Sequence, residues 1–308
     1  MSDLETCNSR RDLEYDPIYH DLNHADRARN DDDDESSVDS CLDLINFKSI
    51  FDKNQCLETG ISFSFSGSRT LHISTLLDEQ DIAPLFSGAE WAGTRVWHAA
   101  VRAIEYMYVD NGNWHSSRKN MIYECLNSKT NNESTKADVK ANRKNVLELG
   151  CGLGVPGMIA CLMGAKVVLT DQESLLQQLE KNIEQNFDKN DIESKSIQAI
   201  TLDWSRKNIQ ELLNKCGLDN GFDVVVNCDC VFEPLYGESW KFLVDAIDEL
   251  LFVNPKCLVL SSVERRNGDG IEKFLAAQEV SKNISHVELV HKDEKNNIEL
   301  YVTHGRTQ

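Results

Sequence analysis

The sequence predicts an α/β fold: a doubly wound, mostly parallel seven-stranded sheet with helices on both faces, preceded by a β-hairpin and a helix. From Asn145 onward, short apolar runs alternate with segments whose apolar residues recur at helical spacing. These runs are continuous, which is typical of parallel strands buried on both faces. The last two, "HVELVH" and "IELYVTH", are separated only by "KDEKNN". That connection is too short for a crossover helix, so we expect a C-terminal antiparallel hairpin at the sheet edge.

Two segments lack the composition of a folded core. Residues 1–56 are acidic and contain the like-charge run "NDDDDES", so we expect a disordered N-terminal tail. Such a tail either binds a partner or only keeps the protein in solution, and the second role is the more ordinary one. Residues 57–308 form the predicted folded domain. Within it, residues 111–142 are rich in Asn, Ser, Lys and Glu and are predicted to be a polar surface insertion.

The folded domain begins with a predicted β-hairpin and an amphipathic helix. Residues 61–77 alternate apolar and polar side chains on either side of Ser66, Gly67 and Ser68, which is typical of two strands joined by a turn. Residues 94–110, "TRVWHAAVRAIEYMYVD", place apolar residues at helical spacing. We therefore expect this helix to pack one face against the core.

The strands and helices of the main sheet can be assigned in order. The strands are predicted at "NVLEL", "KVVLT", "IQAITL", "FDVVVNCD" and "KCLVLSS", followed by the two strands of the terminal hairpin. The helices between them are predicted at "VPGMIACLMG", "SLLQQLEKNIEQNF", "RKNIQELLNKC" and "SWKFLVDAIDELL". Because the carboxyl ends of parallel strands meet at one edge of the sheet, we expect the ligand site there.

Composition excludes several classes of function. No run approaches the roughly 20 apolar residues that a membrane span needs, and the first residues lack the apolar core of a signal peptide. We therefore expect a cytoplasmic protein, with the nucleus as the alternative, and no membrane partner. The formal charge of −19 opposes binding to nucleic acid. The ten cysteines and eight histidines show no spacing typical of a metal site, so we expect none.

A glycine-rich turn follows the first strand of the main sheet. Gly150, Gly152 and Gly154 form GxGxG, a pattern that lets backbone approach a ligand closely. Asp171 ends the second strand about 20 residues later, where a carboxylate suits the two hydroxyls of a ribose. Both NAD and S-adenosylmethionine contain such a ribose, so these residues alone leave the two cofactors open.

Two further carboxylates favour S-adenosylmethionine. Glu148 lies two residues before the first glycine, where its charge suits a cationic ligand better than a pyrophosphate. Asp203 and Trp204 follow the third strand, where they would flank an adenine; the alternative is a capping Asp and a half-buried Trp. The terminal antiparallel hairpin also favours S-adenosylmethionine, because one large enzyme class adds such a hairpin to a doubly wound sheet.

The sequence resembles the class I S-adenosylmethionine-dependent methyltransferases, which have a Rossmann-like fold, and more narrowly the family-16 protein methyltransferases. The resemblance runs from about Gly60 to His304 and rests on "GTRVWHAAVRAIEYM", "VLELGCGLGVPGMIA", "LDWS" and "NCDCVFEPLYGESW". It implies S-adenosylmethionine as cofactor and a protein substrate, most often methylated on lysine. The cofactor-binding residues that we expect, including Cys228 at the end of the fourth strand, are Trp97, Glu148, Gly150, Gly152, Asp171, Trp204 and Cys228. For Cys228 and Cys230 the alternative is core packing on one strand face.

The segment "DCVFEP" resembles the DxxY-type motif of that family and supplies the expected catalytic residues. Asp229 stands in the acidic position, and Phe232 stands where Tyr is more usual. Phe232 offers an apolar wall and a cation–π face but no hydroxyl. We expect Asp229, as an exposed carboxylate, to position an acceptor amine rather than to act as a strong base. Tyr236 and Trp240 are candidates for the acceptor entrance, with packing on the sheet as the alternative.

Other functions remain open at this level. A histidine or arginine acceptor is compatible with Phe232, and a small-molecule methyltransferase would share the same fold. An NAD-dependent oxidoreductase is less favoured because the sequence shows no identifiable hydride-transfer residues. A non-catalytic scaffold is disfavoured because Glu148, Gly152, Asp171 and Asp229 are all present.

Overall fold

The N-terminal part of the domain forms a small antiparallel sheet followed by two helices. The computed structural model describes residues 46–50, 60–64, 70–74, 96–108, 120–127, 143–206 and 208–307. The first elements are β1 (Asn46–Ile50), β2 (Gly60–Ser64), β3 (Thr70–Ser74), α1 (His98–Tyr108) and α2 (Met121–Asn127). Strands β2 and β3 pair antiparallel, which confirms the predicted hairpin, and β1 pairs with β2.

These elements bear on the predicted domain boundaries. Strand β1 lies within residues 1–56, which the sequence assigns to the tail, and helix α2 lies within the predicted insertion. The rest of the tail, the hairpin turn at residues 66–68 and most of residues 111–142 lie outside the described residues. The predicted disorder of the tail therefore stays a prediction.

The main sheet contains the seven predicted strands. They are β4 (Asn145–Leu149), β5 (Lys166–Asp171), β6 (Ile197–Thr201), β7 (Val224–Cys228), β8 (Leu258–Glu264), β9 (Ile284–Asp293) and β10 (Ile298–Gly305). Their order is β6-β5-β4-β7-β8-β10-β9, in which β10 pairs antiparallel with both β8 and β9 and the other pairs are parallel. This confirms the predicted fold class, including the antiparallel hairpin at the edge.

Seven helices accompany these strands in the described residues from 143 onward. They are α3 (Val155–Leu162), α4 (Glu173–Asn186), α5 (Lys189–Glu193), α6 (Ile209–Cys216), α7 (Glu233–Tyr236), α8 (Trp240–Val253) and α9 (Ile271–Glu279). Helices α5, α7 and α9 were not predicted. Among the described residues there is no helix with the length and apolar character needed to span a bilayer.

The sheet is buried on both faces, as the continuous apolar strands predict. Successive residues of a strand point to opposite faces, and Val146 and Leu147 of β4 accordingly belong to two different hydrophobic clusters. One cluster includes side chains of α1, α3 and α4, and the other includes side chains of α6, α8 and α9. The chain runs outward from β4 to β6 and then returns to β7 on the other side of β4. The crevice at this reversal is where open α/β sheets bind ligands.

Candidate active site

A pocket of about 620 Å³ opens at the carboxyl ends of β4, β5 and β7. Its volume falls in the range of small-molecule and cofactor sites. Eight of the nine predicted site residues line it: Trp97, Glu148, Gly150, Gly152, Asp171, Trp204, Cys228 and Asp229. The ninth, Phe232, is not among the described residues that line the pocket. The structure therefore brings the predicted site together, while the roles of its residues stay predictions.

The glycine-rich turn forms one wall of the pocket between β4 and α3. Gly150 and Gly154 have φ angles of 61° and 74°, in the left-handed region that favours glycine. A Cβ atom at Gly150 would lie 2.7 Å from Cys230 Sγ and 3.2 Å from the ring of Trp204. Pro156 follows in the first turn of α3, where its missing N–H has no helical partner to lose. The turn thus presents backbone to the pocket because side chains would not fit.

Asp171 fixes the end of β5 to the glycine turn. Its Oδ2 accepts a hydrogen bond from Gly152 N at 2.7 Å, and its Oδ1 accepts one from Gln172 N at 2.7 Å. Burial raises the pKa of this carboxyl group, and the two backbone hydrogen bonds oppose that rise. Because each carboxylate oxygen can accept more than one hydrogen bond, Asp171 retains capacity for ligand hydroxyls.

Glu148 is a buried carboxyl group in the pocket wall, with only 2% of its surface exposed. Its Oε2 accepts a hydrogen bond from Gly157 N at 2.8 Å. Burial raises the pKa of Glu148 to about 8; the Gly157 hydrogen bond opposes that rise and the charge of Asp171 adds to it. A cationic ligand would stabilise the ionised form of Glu148 and so release its proton.

Asp203 and Trp204 line the pocket after β6, and their contact with an adenine stays a prediction. Asp203 Oδ1 accepts hydrogen bonds from Ser205 N at 3.0 Å and Ser205 Oγ at 2.7 Å, as a capping residue does. Trp204 begins the short 3₁₀-helix Trp204–Arg206 and is half-buried beside Gly150. Capping by Asp203 and an indole wall at the pocket are therefore compatible.

Asp229 lies immediately after β7 and differs from the sequence expectation. The sequence treats it as an exposed carboxylate, but it is buried, with 7% of its surface exposed and a φ of 55°. Its carboxylate binds Arg266 through two hydrogen bonds, of 2.7 and 3.1 Å. Burial raises the pKa of Asp229, and the hydrogen bonds and charge of Arg266 oppose that rise. The expectation was wrong because the partner lies 37 positions away, beyond β8.

Phe232 and Cys230 also differ from expectation. The ring of Phe232 lies 5.1 Å from the guanidinium carbon of Arg266, so the cation–π face that the sequence predicts is directed at a residue of the chain itself. Strand β7 ends at Cys228, so Cys228 and Cys230 do not share one strand face as predicted. Both cysteines line the pocket, and Cys230 Sγ donates to Leu149 O at 3.3 Å.

The candidates for the acceptor entrance separate into two groups. Tyr236 lines the pocket. Trp240 is buried, and its Nε1 donates to Glu233 Oε1 at 2.8 Å, so the packing alternative holds for Trp240. Arg266 is the residue that the sequence reasoning missed. Its only local signal was a position just beyond the carboxyl end of β8.

The donors and acceptors in this pocket fit S-adenosylmethionine better than NAD. Gly152 N, which would otherwise bind a phosphate, is already hydrogen-bonded to Asp171. The pocket wall also carries the carboxyl groups of Glu148 and Asp229. Carboxylates attract a ligand that carries a sulfonium and an ammonium group and repel a pyrophosphate. A ribose suits Asp171, and an adenine suits the indole of Trp204.

The chain is similar to proteins of a known family. A family model described as lysine methyltransferase matches residues 78–280. The protein named secreted RxLR effector protein 48, from Plasmopara viticola, is 43% identical over 162 residues, which cover 49% of this chain and 80% of that protein. Protein N-lysine methyltransferase METTL21A of Danio rerio is 31% identical over 169 residues, which cover 55% and 69%.

Two more distant likenesses complete the comparison. Histidine protein methyltransferase 1 homolog of Dictyostelium discoideum is 26% identical over 201 residues, which cover 65% of this chain and 52% of that protein. Among solved structures, the delta-N METTL16 MTase domain has a TM-score of 0.45 at 12% identity, covering 70% of this chain and 85% of that chain. The family model spans more than half of the chain. The chain therefore belongs to the lysine methyltransferase family and is an S-adenosylmethionine-dependent methyltransferase.

Proposed function

We propose that the protein transfers a methyl group from S-adenosylmethionine to a lysine side chain of a protein substrate. The observation that carries this proposal is the composition of the pocket wall beside the cofactor residues. Asp229, Trp97 and Tyr236 line the pocket together, so one acidic and two aromatic residues share its wall. Such a wall suits a cationic amine. The sequence predicts Trp97 as a cofactor residue, and we assign it here to the acceptor side because its ring lies 5.5 Å from the guanidinium that holds Asp229. The family description and the lysine methyltransferase of Danio rerio, to which the chain is similar, support lysine as the acceptor.

The chain contributes alignment and desolvation rather than a nucleophile. When bound, S-adenosylmethionine supplies a methyl group that is already activated as a sulfonium. Asp171 and Glu148 are the residues that would hold the cofactor's ribose and its cationic end. Trp97, Asp229 and Tyr236 would then orient the acceptor and exclude water, which is the larger part of catalysis in a displacement of this kind.

The acceptor lysine has to lose a proton to solvent water before it attacks the methyl group, because its reference pKa is about 10.4. Asp229 is not suited to act as a strong base, because its carboxylate is already paired with Arg266. Burial raises the pKa of the Tyr236 phenol well above its usual value, so Tyr236 keeps its hydroxyl proton at neutral pH. Its oxygen is an acceptor for an amine N–H, which compensates for the hydroxyl that Phe232 lacks. We assign positioning of the amine to Tyr236 and Asp229.

Histidine is the second candidate acceptor. Similarity to the histidine protein methyltransferase 1 homolog of Dictyostelium discoideum supports it, and Phe232 in place of the usual Tyr is compatible with it. Lysine is favoured because the anionic side chain of Asp229 and the aromatic rings suit a group that approaches as a cation.

The test is methyl labelling followed by identification of the labelled residue. Purified protein is incubated with heavy-methyl S-adenosylmethionine and either the protein fraction or the small-metabolite fraction of a cell extract. The Asp171→Ala variant serves as the cofactor-site control, and Lys215→Ala serves as a surface control, since Lys215 pairs only with exposed Glu211 in the described residues. We expect label on lysine with wild type and Lys215→Ala, and little with Asp171→Ala. Label on histidine would support the second candidate, and label confined to metabolites would overturn protein methylation.

A further inference from the structure

Arg266 lies at the centre of a network behind the acceptor side of the pocket. Its Nη2 lies 2.7 Å from Asp229 Oδ2 and 2.7 Å from Glu264 Oε2, and its Nη1 lies 3.1 Å from Asp229 Oδ1. Its guanidinium carbon lies 5.5 Å from the ring centroid of Trp97 and 5.1 Å from that of Phe232. One side chain thus contacts two carboxylates and two aromatic rings.

The partners of Arg266 come from three separate parts of the fold. Trp97 precedes α1, Asp229 and Phe232 follow β7, and Glu264 ends β8. Trp97 and Asp229 line the pocket, whereas Arg266 and Phe232 are not among the described residues that line it. Arg266 therefore stands behind the pocket wall, where it holds the lining residues and does not itself fill the space of an acceptor.

Asp229 requires this support because its backbone is strained. A φ of 55° is uncommon for a residue with a side chain and persists only where the surroundings hold it. Asp229 N donates to Ser262 O at 2.8 Å, and Asp229 Oδ1 accepts from Glu264 N at 3.2 Å. Arg266 donates two further hydrogen bonds to the Asp229 carboxylate and places a positive charge beside it.

We infer that Arg266 is a positioning residue for the methyl acceptor, acting through Asp229, Trp97 and Phe232. This inference rests on the proposed function, because it concerns the acceptor half of the same site. It assigns to Arg266 the task of fixing the carboxylate and the indole that meet the incoming amine. A lysine at this position would not replace the guanidinium in holding these residues. A planar guanidinium can bind a carboxylate bidentately and stack on an aromatic ring, and a lysine ammonium does neither.

The chain offers a matched control in the neighbouring residue. Arg265 forms three ion pairs, with Asp269 at 3.0 Å, Glu299 at 2.7 Å and Glu272 at 2.9 Å. None of these four residues is among those that line the pocket. Arg265→Ala removes three ion pairs, against two for Arg266→Ala, and none of the three involves a pocket-lining residue. Among the described contacts, the one shared with Arg266 is Asp269 Oδ2, which also accepts a hydrogen bond from Arg266 N at 3.0 Å.

The first experiment compares Arg266→Lys, Arg266→Ala and Arg265→Ala with wild type. The initial rate of heavy-methyl incorporation into extract protein is measured at saturating S-adenosylmethionine, and the KM for the cofactor is measured separately. We expect both Arg266 variants to lose at least about tenfold in maximal rate with a KM for S-adenosylmethionine within about twofold of wild type. Arg265→Ala should keep its rate within about twofold of wild type, even if its unfolding temperature falls as much as that of the Arg266 variants. A rate within about twofold of wild type, or above it, in either Arg266 variant would overturn the inference.

A second measurement is independent of methyl transfer. Hydrogen exchange is followed by mass spectrometry in peptides that cover residues 97–104 and 228–236. Both Arg266 variants should exchange at least about tenfold faster in these peptides, and Arg265→Ala should not. Unchanged exchange would refute the network. If wild type labels no protein but the exchange result holds, the proposed function fails while the contacts of Arg266 stand, so the two failures are distinguishable.

Discussion

At the scale of single residues, the pocket combines carboxyl groups whose surroundings hold them in different states. Asp171 is held by two backbone N–H groups, Asp229 is paired with Arg266, and Glu148 has one backbone hydrogen bond and no cationic partner among the described contacts. Burial raises the pKa of Glu148 to about 8, so its ionisation is the one most easily coupled to ligand binding near neutral pH.

We predict that affinity for S-adenosylmethionine rises with pH between 6 and 8. A cationic ligand favours ionised Glu148, so below its pKa of about 8 binding must also displace a proton. The dissociation constant, measured by calorimetry, should be about ten- to fiftyfold larger at pH 6 than at pH 8. Glu148→Gln should bind weakly at both values, with a smaller pH dependence. A wild-type dissociation constant that does not change with pH would contradict the assignment.

We predict that Gly157→Ala weakens both folding and cofactor binding. An added Cβ would lie 2.2 Å from Leu169 Cδ2 and 2.8 Å from Glu148 Oε2, so the carboxyl group and the core side chain must both shift. The free energy of unfolding should fall by about 1–3 kcal/mol, and S-adenosylmethionine should bind several-fold more weakly. Denaturant titration and calorimetry measure the two effects.

Gly164→Ala is the matched control for this prediction. Gly164 has a φ of 105°, and apart from its chain neighbours no described residue has an atom within 4 Å of an added Cβ, so alanine there strains the backbone without crowding the pocket. It should lose stability while binding the cofactor normally. Equal loss of cofactor affinity in the two variants would show that the position of Gly157 beside Glu148 is irrelevant.

At the scale of elements, the strands and the long helices are predictable from periodicity, and α9 is not. Helix α9 buries Ile271, Phe274 and Gln278. Gln278 is polar in sequence but fully buried, because its Oε1 accepts a hydrogen bond from Thr303 Oγ1 on β10 at 2.7 Å. A polar residue on the buried face interrupts the apolar pattern, and its partner is visible only after β10 has been placed in the sheet.

The terminal hairpin carries a pH-sensitive contact. His286 of β9 and His304 of β10 face each other across the strands and stack, with ring centroids 4.3 Å apart. Burial lowers the pKa of His304, the nearby His286 lowers it further, and Glu288 opposes both effects. Protonation is therefore harder in the folded hairpin than in the unfolded chain, where the reference pKa is about 6.5.

We predict that His304→Phe reduces the acid sensitivity of folding. A pKa lowered by folding gives stability that is complete above about 6.5 and is lost as pH falls through the lower folded value. Between pH 7 and pH 5, the wild-type unfolding temperature should fall further than that of His304→Phe, by on the order of 2 °C. An identical fall in both proteins would show that His304 does not titrate between these values.

At the scale of the whole molecule, the sequence predicts the parts of the fold and site that depend on local pattern. Continuous apolar strands and a short last connection are enough for the sheet class and its terminal hairpin. The glycine turn and Asp171 belong to one βαβ unit, so about 20 residues contain that half of the site. The pairing of Asp229 with Arg266 requires β7 and β8 to be adjacent and parallel. That contact joins residues 37 positions apart, and no local sequence pattern predicts it.

The acceptor side of the pocket is harder to predict from sequence than the cofactor side, because its residues come from distant segments of the chain. Trp97 approaches from a segment that precedes the sheet, and its ring meets the guanidinium of Arg266 from beyond β8. Only the folded sheet brings these segments to one edge. Sequence alone therefore predicts a site for an adenosine-bearing cofactor, and the tertiary structure is needed for the network that faces the substrate.

The measurement that tests the central claim most directly is a calorimetric titration of the purified protein with S-adenosylmethionine and, separately, with NAD. The carboxyl groups of the pocket predict binding of S-adenosylmethionine and no measurable binding of NAD. Asp171→Ala should weaken cofactor binding at least about tenfold through loss of the hydrogen bonds to the ribose and to Gly152, and Lys215→Ala should bind as wild type does. Tighter binding of NAD, or unchanged binding by Asp171→Ala, would contradict the account of this pocket.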